Sequence, residues 1–356
     1  LEKIAKRDIT VGVVGLGYVG LPLAVEKAKA GFKTIGFDVQ EEKVKMVNEG
    51  HNYIGDVVNE DLKELVESGK MKATSDFSFV KDVDFIAICV PTPLDKHQEP
   101  DISYVKSSAE AISKHLSRDT MVVLESTTYP GTTEELLLPI LEEGSGLKCG
   151  EDFYLGFSPE RVDPGNLIYK TKNTPKVVGA VGKEATEVIS AMYREVLEGE
   201  IYEVSSPAIA EMEKILENTY RNINIGLVNE LAMLCDKMGI SLWEVIEAAK
   251  TKPYGFQAFY PGPGLGGHCI PLDPYYLTWK APRGEGWKDA PYRYVVYRFY
   301  ADEPINLNDP SKIVGMPYGN KLRLNYKDGN TKYVYVVTAL DRMSNESHGK
   351  KKKVKL

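Results

Sequence analysis

Hydrophobic residues recur in short blocks separated by mixed segments. Residues 9–14, 33–37, 85–90, 121–124, 153–157 and 176–181 are apolar runs of the length of a buried strand. Segments with helical spacing, beginning with residues 21–30, lie between most of them. Alternating strands and helices predict an α/β fold, a doubly wound parallel sheet with helices on both faces. From Pro207 the period lengthens, and Pro207–Met238 reads as one long helix. Its apolar stripe, Met212, Leu216, Tyr220, Ile223 and Leu227, is expected to pack, within the chain or between subunits. A second helix, Leu242–Lys250, precedes a Pro/Gly-rich loop at 253–267. Past Pro282 the period drops to two, and residues 293–299 and 332–341 alternate as strands. The predicted organisation is a sheet domain at 1–203, an all-helical middle domain at 204–281 and a short β-rich segment at 282–356.

The first strand runs into Gly15-Leu16-Gly17-Tyr18-Val19-Gly20 and then into a helix. Gly15 suits the tight turn, Gly17 lets backbone approach a pyrophosphate, and Gly20 allows close helix packing. The helix N-terminus turns its amides and positive dipole end toward phosphate, with Tyr18 and Val19 in the same turn. The next strand ends at Asp38, 18 residues past Gly20. An acid there meets the adenosine ribose hydroxyls and disfavours a 2′-phosphate, so NAD is expected over NADP. Lys43 is a further candidate contact to the cofactor. Ligands of such a sheet sit at the carboxyl ends of its strands. Those ends carry Pro91-Thr92-Pro93, Glu125-Ser126-Thr127 and Ser158-Pro159-Glu160-Arg161.

Gly264-Leu265-Gly266-Gly267-His268-Cys269 sets a cysteine in a glycine-rich loop, with Asp273 four residues on. Such a cysteine is either a small buried turn residue or a nucleophile, since thiolate is the best nucleophile a side chain offers near neutral pH. Lys214 and Asn218 are four apart on the long helix and share a face. They form solvated surface or, beside the Cys269 loop, donate to an oxyanion.

Composition narrows the choices. At 356 residues roughly two or three domains are expected. With 43% hydrophobic and 27% charged residues the chain reads as soluble and globular. A net charge of -7 gives no reason to expect a nucleic-acid partner. Four cysteines make no disulfide framework, and five scattered histidines argue against a metal. No apolar run approaches the roughly 20 residues of a membrane span, and no signal peptide opens the chain. A cytoplasmic setting without membrane partners follows. The chain opens on Leu1 rather than Met, so its true start is expected upstream.

Together these segments resemble the UDP-sugar and GDP-mannose 6-dehydrogenases. The motifs, in family order, are GLGYVGLPLA at 15–24, VPTPL at 90–94, ESTTYPGTT at 125–133, FSPERVDPGN at 157–166, EMEKILENTYRNINIGLVNE at 211–230 and PGPGLGGHCIPLDPYYLTWKA at 261–281. The last motif and SPERVDPGN look most like the UDP-N-acetylglucosamine branch, with the UDP-glucose and UDP-N-acetylmannosamine branches as alternatives. The resemblance implies a Rossmann-like cofactor domain, NAD as cofactor, a UDP-sugar substrate and a homodimer built on the long helix. It implies that the C6 alcohol is oxidised to a uronate in two hydride transfers, through a thiohemiacetal and a thioester on Cys269. Lys214 and Asn218 would then stabilise oxyanions. Asp273, or a water held by Thr127 and Asp273, would act as base, and Glu160 would place substrate and water. Thr92 and Thr127 would also meet the cofactor. Arg161, Tyr260, Gly264 and Gly267 would meet the substrate, together with Glu160, Lys214 and Asn218.

The family continues through a linking helix into a second Rossmann-like domain that binds uridine diphosphate. Residues 282–356 resemble instead the latter part of a fibronectin type III-like sandwich. The two patterns meet at 277–282, which suits a strand or a helix start. Half a sandwich leaves strand edges unpaired. The expectation is therefore a chimera, rather than a natural fusion, with weak or no turnover. The Lys350–Lys353 run reads as a solvated tail, and Asn345-Glu346-Ser347 as a sequon that a cytoplasmic chain would not use.

Overall fold

In a computed structural model of the chain, the structure describes residues 1–95, 100–162, 166, 168–267, 269–280, 293–300, 303–307, 310–315, 332–340 and 350–355. His268, Asp163-Pro164-Gly165, Leu167 and the sequon lie outside the described residues. Contacts group residues 1–93 and 100–274 into one compact unit, and residues 94–99 and 275–356 into another.

The first unit is built on β1 (Thr10–Val14), β2 (Lys33–Phe37), β3 (Met71–Thr74), β4 (Phe85–Ile88), β5 (Met121–Leu124), β6 (Tyr154–Phe157), β7 (Lys176–Ala180) and β8 (Ile201–Val204). The helices in chain order are α1 (Glu2–Ala5), α2 (Gly20–Lys29), α3 (Glu41–Asn48), α4 (Asn59–Glu67), α5 (Ser103–Ser113), α6 (Leu138–Ser145), α7 (Lys183–Val196), α8 (Pro207–Met238), α9 (Leu242–Lys250) and α10 (Pro274–Lys280). The strand order is β3-β2-β1-β4-β5-β6-β7-β8. The chain reverses its direction of travel across the sheet between β1 and β4, the point at which such folds open a ligand crevice.

Register aligns the strand ends. Val14 pairs with Phe37 and Ile88, Ile88 with Leu124, and Leu124 with Phe157. The segments beginning at Gly15, Asp38, Cys89, Glu125 and Ser158 therefore leave the sheet along one edge. The sheet departs from the all-parallel expectation at β7, which runs antiparallel to β6. A parallel neighbour needs a crossover, usually a helix; none lies among the described residues between β6 and β7. The reversal sets the start of β7 beside the end of β6, where the Ser158 hydroxyl donates to the Val177 carbonyl at 2.8 Å. It thereby brings Lys176 to the ligand edge.

Both faces are covered. Leu21, Leu23, Ile189 and Tyr193, from α2 and α7, pack with Val11 and Val13 on one side. Val105, Ile112 and Leu141, from α5 and α6, pack with Val14 and Ile86 on the other. Each such side chain contributes roughly 1.5–3 kcal/mol on burial.

Pro207 opens α8 at a position where a missing N–H is harmless, and Gly239 closes it in the left-handed region at φ 67°. Ser241 then caps α9, its side chain accepting from the Glu244 amide. The expected apolar stripe of α8 stays outside the chain's own core: Met212, Leu216, Tyr220, Ile223 and Leu227 are 40% to 63% exposed. The buried stripe is Ala210, Glu211, Lys214, Ile215 and Asn218.

In the second unit, β9 (Arg293–Tyr300), β10 (Ile313–Gly315), β11 (Lys332–Leu340) and β12 (Lys350–Lys355) form an antiparallel sheet in the order β10-β9-β11-β12. Val334 faces Phe299 and Val336 faces Tyr297 across β9 and β11, and these residues are buried together. One expectation changes here. The lysine run is not a free tail: β12 pairs with β11 from Lys332↔Lys355 to Val337↔Lys350. Pairing is a backbone property, and lysine is a common residue of edge strands. Of the two readings open at 277–282, the helix is the one the structure shows, since residues 274–280 form α10.

Candidate active site

The glycine turn after β1 divides its labour in space. Gly15 has φ +90°, and a Cβ there would lie 2.8 Å from the Cys89 carbonyl oxygen. A Cβ on Gly20 would lie 1.8 Å from the Gly15 carbonyl oxygen. Neither position tolerates a side chain. A Cβ on Gly17 would meet no protein atom within 4 Å. The space over Gly17, at the N-terminal end of α2, is the room a pyrophosphate needs. Tyr18 is exposed and Val19 half-buried at the same helix entrance.

Asp38 is held from two sides. Its Oδ2 accepts from the Leu16 amide at 2.9 Å and its Oδ1 from the Gln40 amide at 2.9 Å. Lys43 Nζ lies 3.8 Å from Oδ2. The carboxylate is thus fixed at the end of β2 beside the glycine turn, as a dinucleotide requires. The Thr92 hydroxyl donates to the Thr127 carbonyl at 2.7 Å, and the Ser126 hydroxyl to the Val90 carbonyl at 2.7 Å. These bonds stitch the segments after β4 and β5 together, so the two threonines expected to meet the cofactor stand side by side.

The second cluster forms where the polar stripe of α8 meets the glycine-rich loop. Asn218 Nδ2 donates to Asp273 Oδ2 at 2.5 Å. One turn on, Asn222 Nδ2 donates to the Ile270 carbonyl at 2.8 Å. Further along, Asn229 donates to the Gly264 carbonyl and accepts from the Gly262 amide. The Cys269 carbonyl accepts from the Leu272 and Asp273 amides, both at 2.9 Å, which folds Asp273 back toward the cysteine. Gly266 and Gly267 adopt φ of 67° and 73°, the left-handed backbone that leads into Cys269. Cys269 is exposed, whereas Lys214, Asn218 and Asp273 are buried.

Loss of solvation pushes the Cys269 thiol up, the Asp273 carboxylate pushes it further, and Lys214 pulls it back. The net shift runs against the thiolate. A nucleophile here needs a base, and Asp273 is the neighbouring carboxylate.

Glu160 and Arg161 make contacts of their own at the end of β6. Glu160 Oε1 accepts from the Arg161 and Val162 amides, and its Oε2 lies 3.6 Å from Lys176 Nζ. The Arg161 guanidinium pairs with Glu217 and, at 3.4 Å, with Glu213, and donates to the Pro175 carbonyl at 3.1 Å. Tyr260 turns to α9: its hydroxyl donates to Glu247 at 2.6 Å and accepts from Lys250, and its ring stacks on Trp243.

Sequence reasoning passed over Glu125, Lys176, Tyr193, Glu211 and Asn222. Buried Glu125 accepts from Lys176 at 2.7 Å and from the Tyr193 hydroxyl at 2.5 Å. Buried Glu211 accepts from the Gly131 amide and from the Thr133 amide and hydroxyl. Asn222 had a signal, since it continues the four-residue spacing of Lys214 and Asn218; Lys176 had none, because its place depends on the reversal of β7. Among the described residues no group of His, Cys, Asp and Glu is placed to hold a metal ion, and no helix is long and apolar enough to cross a membrane.

The NAD binding domain of the UDP-glucose/GDP-mannose dehydrogenase family matches residues 9–197, and the central domain of that family matches residues 208–289. Protein CapL of Staphylococcus aureus is 44% identical over 271 residues, 76% of this chain and 62% of that protein. A UDP-N-acetyl-D-glucosamine 6-dehydrogenase of Pseudomonas aeruginosa is 41% identical over 77% of this chain and 64% of that protein. The structure of a UDP-D-ManNAc dehydrogenase from Pyrococcus horikoshii superposes with a TM-score of 0.73 at 37% identity, covering 78% of this chain and 66% of that one. The chain thus spans less than two thirds of the length of these relatives. On the match of both domain models in order, the chain belongs to the UDP-glucose/GDP-mannose dehydrogenase family.

Proposed function

We propose that this chain carries the cofactor site and the reactive thiol of an NAD-dependent UDP-sugar 6-dehydrogenase, with UDP-N-acetylglucosamine as the preferred substrate. The observation that carries the reading is the gathering of Asn218, Asp273 and the Cys269 loop on the buried polar face of α8, with Lys214 one turn away. Gly17 and Asp38 would hold NAD, which when bound would supply the hydride acceptor. A base at the Asp273 end of the site, either that carboxylate or a water between it and Thr127, takes the C6 hydroxyl proton as the hydride departs, and an aldehyde results. Once that proton has left to solvent, Cys269 sulfur bonds to the aldehyde carbon, the carbonyl π bond breaks, and the thiol proton passes to the freed Asp273 carboxylate. Lys214 and the second Asn218 N–H stabilise the resulting oxyanion; each such donor is worth roughly 3 kcal/mol. The oxyanion collapses with loss of a second hydride and leaves a thioester on Cys269. Water hydrolyses it to the uronate and returns the thiol, two hydrides having left the sugar carbon in all. Glu160 at the end of β6 helps to place substrate.

The exposed stripe of α8 supports a homodimer built on that helix, and a cytoplasmic setting suits four free cysteines. The test is NADH formation with UDP-N-acetylglucosamine, UDP-N-acetylmannosamine and UDP-glucose in parallel. Preference for the first, however slow the turnover, supports the substrate assignment, preference for either other relocates it, and failure of the chain to bind NAD contradicts the enzymatic reading.

A further inference from the structure

Lys214 and Asn218 lie on one stripe of α8, and Glu213 and Glu217 on the next, about 100° round the helix. A lysine and a glutamate three apart on a helix ordinarily attract one another. Lys214 has Glu217 at that spacing and Glu213 beside it, yet it forms no ion pair among the described residues while only 8% of it is exposed. Both glutamates face Arg161 instead, which reaches across from the segment after β6 and is anchored by the Pro175 carbonyl. Burial, and then the neighbouring Glu217, pushes the Glu213 carboxyl up, so the pair tends to share one proton. The Arg161 guanidinium offsets part of the charge on the two carboxyls, so their attraction for the adjacent Lys214 ammonium is reduced but not removed.

We propose that Arg161 is a positioning residue for Lys214: by holding Glu213 and Glu217 it keeps them from capturing the Lys214 ammonium, which stays committed to Cys269. This rests on the reading of Lys214 as the donor beside the thiol, and it replaces the expectation that Arg161 meets the substrate. Without Arg161 two carboxylates face Lys214, and the helix offers a ready ion pair one turn away. The ammonium then turns from the thiol, whose remaining charged neighbour is Asp273, and thiolate formation becomes harder.

The test reads the thiol rather than turnover. Alkylation of Cys269 by iodoacetamide is followed across pH in the full chain by peptide mass spectrometry, with NAD affinity as the check on folding. Arg161→Met is expected to move the Cys269 profile to higher pH and slow alkylation severalfold below it. Arg161→Lys should keep the profile, and adding Glu213→Gln and Glu217→Gln to Arg161→Met should restore it. In a Lys214→Met background Arg161→Met should do nothing further. An unshifted profile, or a shift that persists without Lys214, overturns the proposal. If Arg161→Met loses NAD affinity, Arg161→Gln carries the same cycle, and its failure there is equally decisive. A flat profile in a chain that oxidises UDP-sugars removes the role of Arg161 and leaves the function. A shifted profile in a chain that oxidises none does the reverse.

Discussion

Lys27 projects from α2 into the core, its ammonium 4.2 Å from the Phe85 ring centre and 4.7 Å from that of Tyr193. It has no hydrogen-bond partner among the described residues. Burial lowers its pKa from 10.5 to about 8, with Glu125 opposing. The folded chain thus releases this proton before the unfolded chain does. The destabilising contribution is full below pH 8 and fades as pH rises toward 10.5. At about 1.4 kcal/mol per unit it amounts to roughly 3 kcal/mol at most, less what the two rings return. Lys27→Met should therefore raise the urea midpoint at neutral pH and shrink the rise in stability on going to alkaline pH. A midpoint that falls at neutral pH would mean the charge is better solvated than its surroundings imply. At the cofactor turn, Asp38→Ala should weaken NAD binding more than NADP binding, by titration calorimetry; equal or tighter NADP binding by the unaltered chain would sink the assignment. These residues were legible because GxGxxG and its distant acid have one spacing and one physical reason. Lys27 was not: on a helix a lysine reads as surface, and only the fold places it between two rings.

The long helix α8 carries two stripes with the same period, one apolar and one polar. Periodicity located the helix and its ends, but it does not say which stripe turns inward. The structure buries Glu211, Lys214 and Asn218 and leaves Leu216 and Ile223 outside. Glu211 joins α8 to the segment after β5 through three donors at Gly131 and Thr133. Glu211→Ala should lower stability by roughly 1–3 kcal/mol, because buried donors lose their acceptor. Urea unfolding reads this as a lower midpoint at unchanged slope. On the other stripe, Leu216→Glu with Ile223→Glu should give a monomer in sedimentation where the parent is a dimer; a parent that is monomeric at every concentration would contradict the subunit reading. Strand direction and edge pairing escaped the sequence for a related reason. Apolar spacing is the same for parallel β6 and antiparallel β7, and the partner of Lys350–Lys355 is chosen by backbone groups, not by charge.

Across the molecule, one sheet edge gathers the segments after β1, β2, β4, β5 and β6, and α8 gathers the loop that bears Cys269. Most of this gathering was legible as motifs in family order. What was not legible is the direction in which the thiol is shifted: partial loss of solvation and Asp273 work against the thiolate. Thiol alkylation without substrate should therefore be slow at neutral pH and climb with pH, and Asp273→Asn should shift the profile to lower pH by removing a neighbouring negative charge. The central claim is that Cys269 bonds to the sugar carbon. It is tested most directly by mixing the full chain with NAD and the 6-aldehyde of UDP-N-acetylglucosamine, quenching in acid and mapping peptides by mass spectrometry. The account predicts a sugar adduct on Cys269 alone, absent in Cys269→Ala. An adduct on Cys89, Cys149 or Cys235 instead, or uronate released by Cys269→Ala at the parent rate, would contradict it.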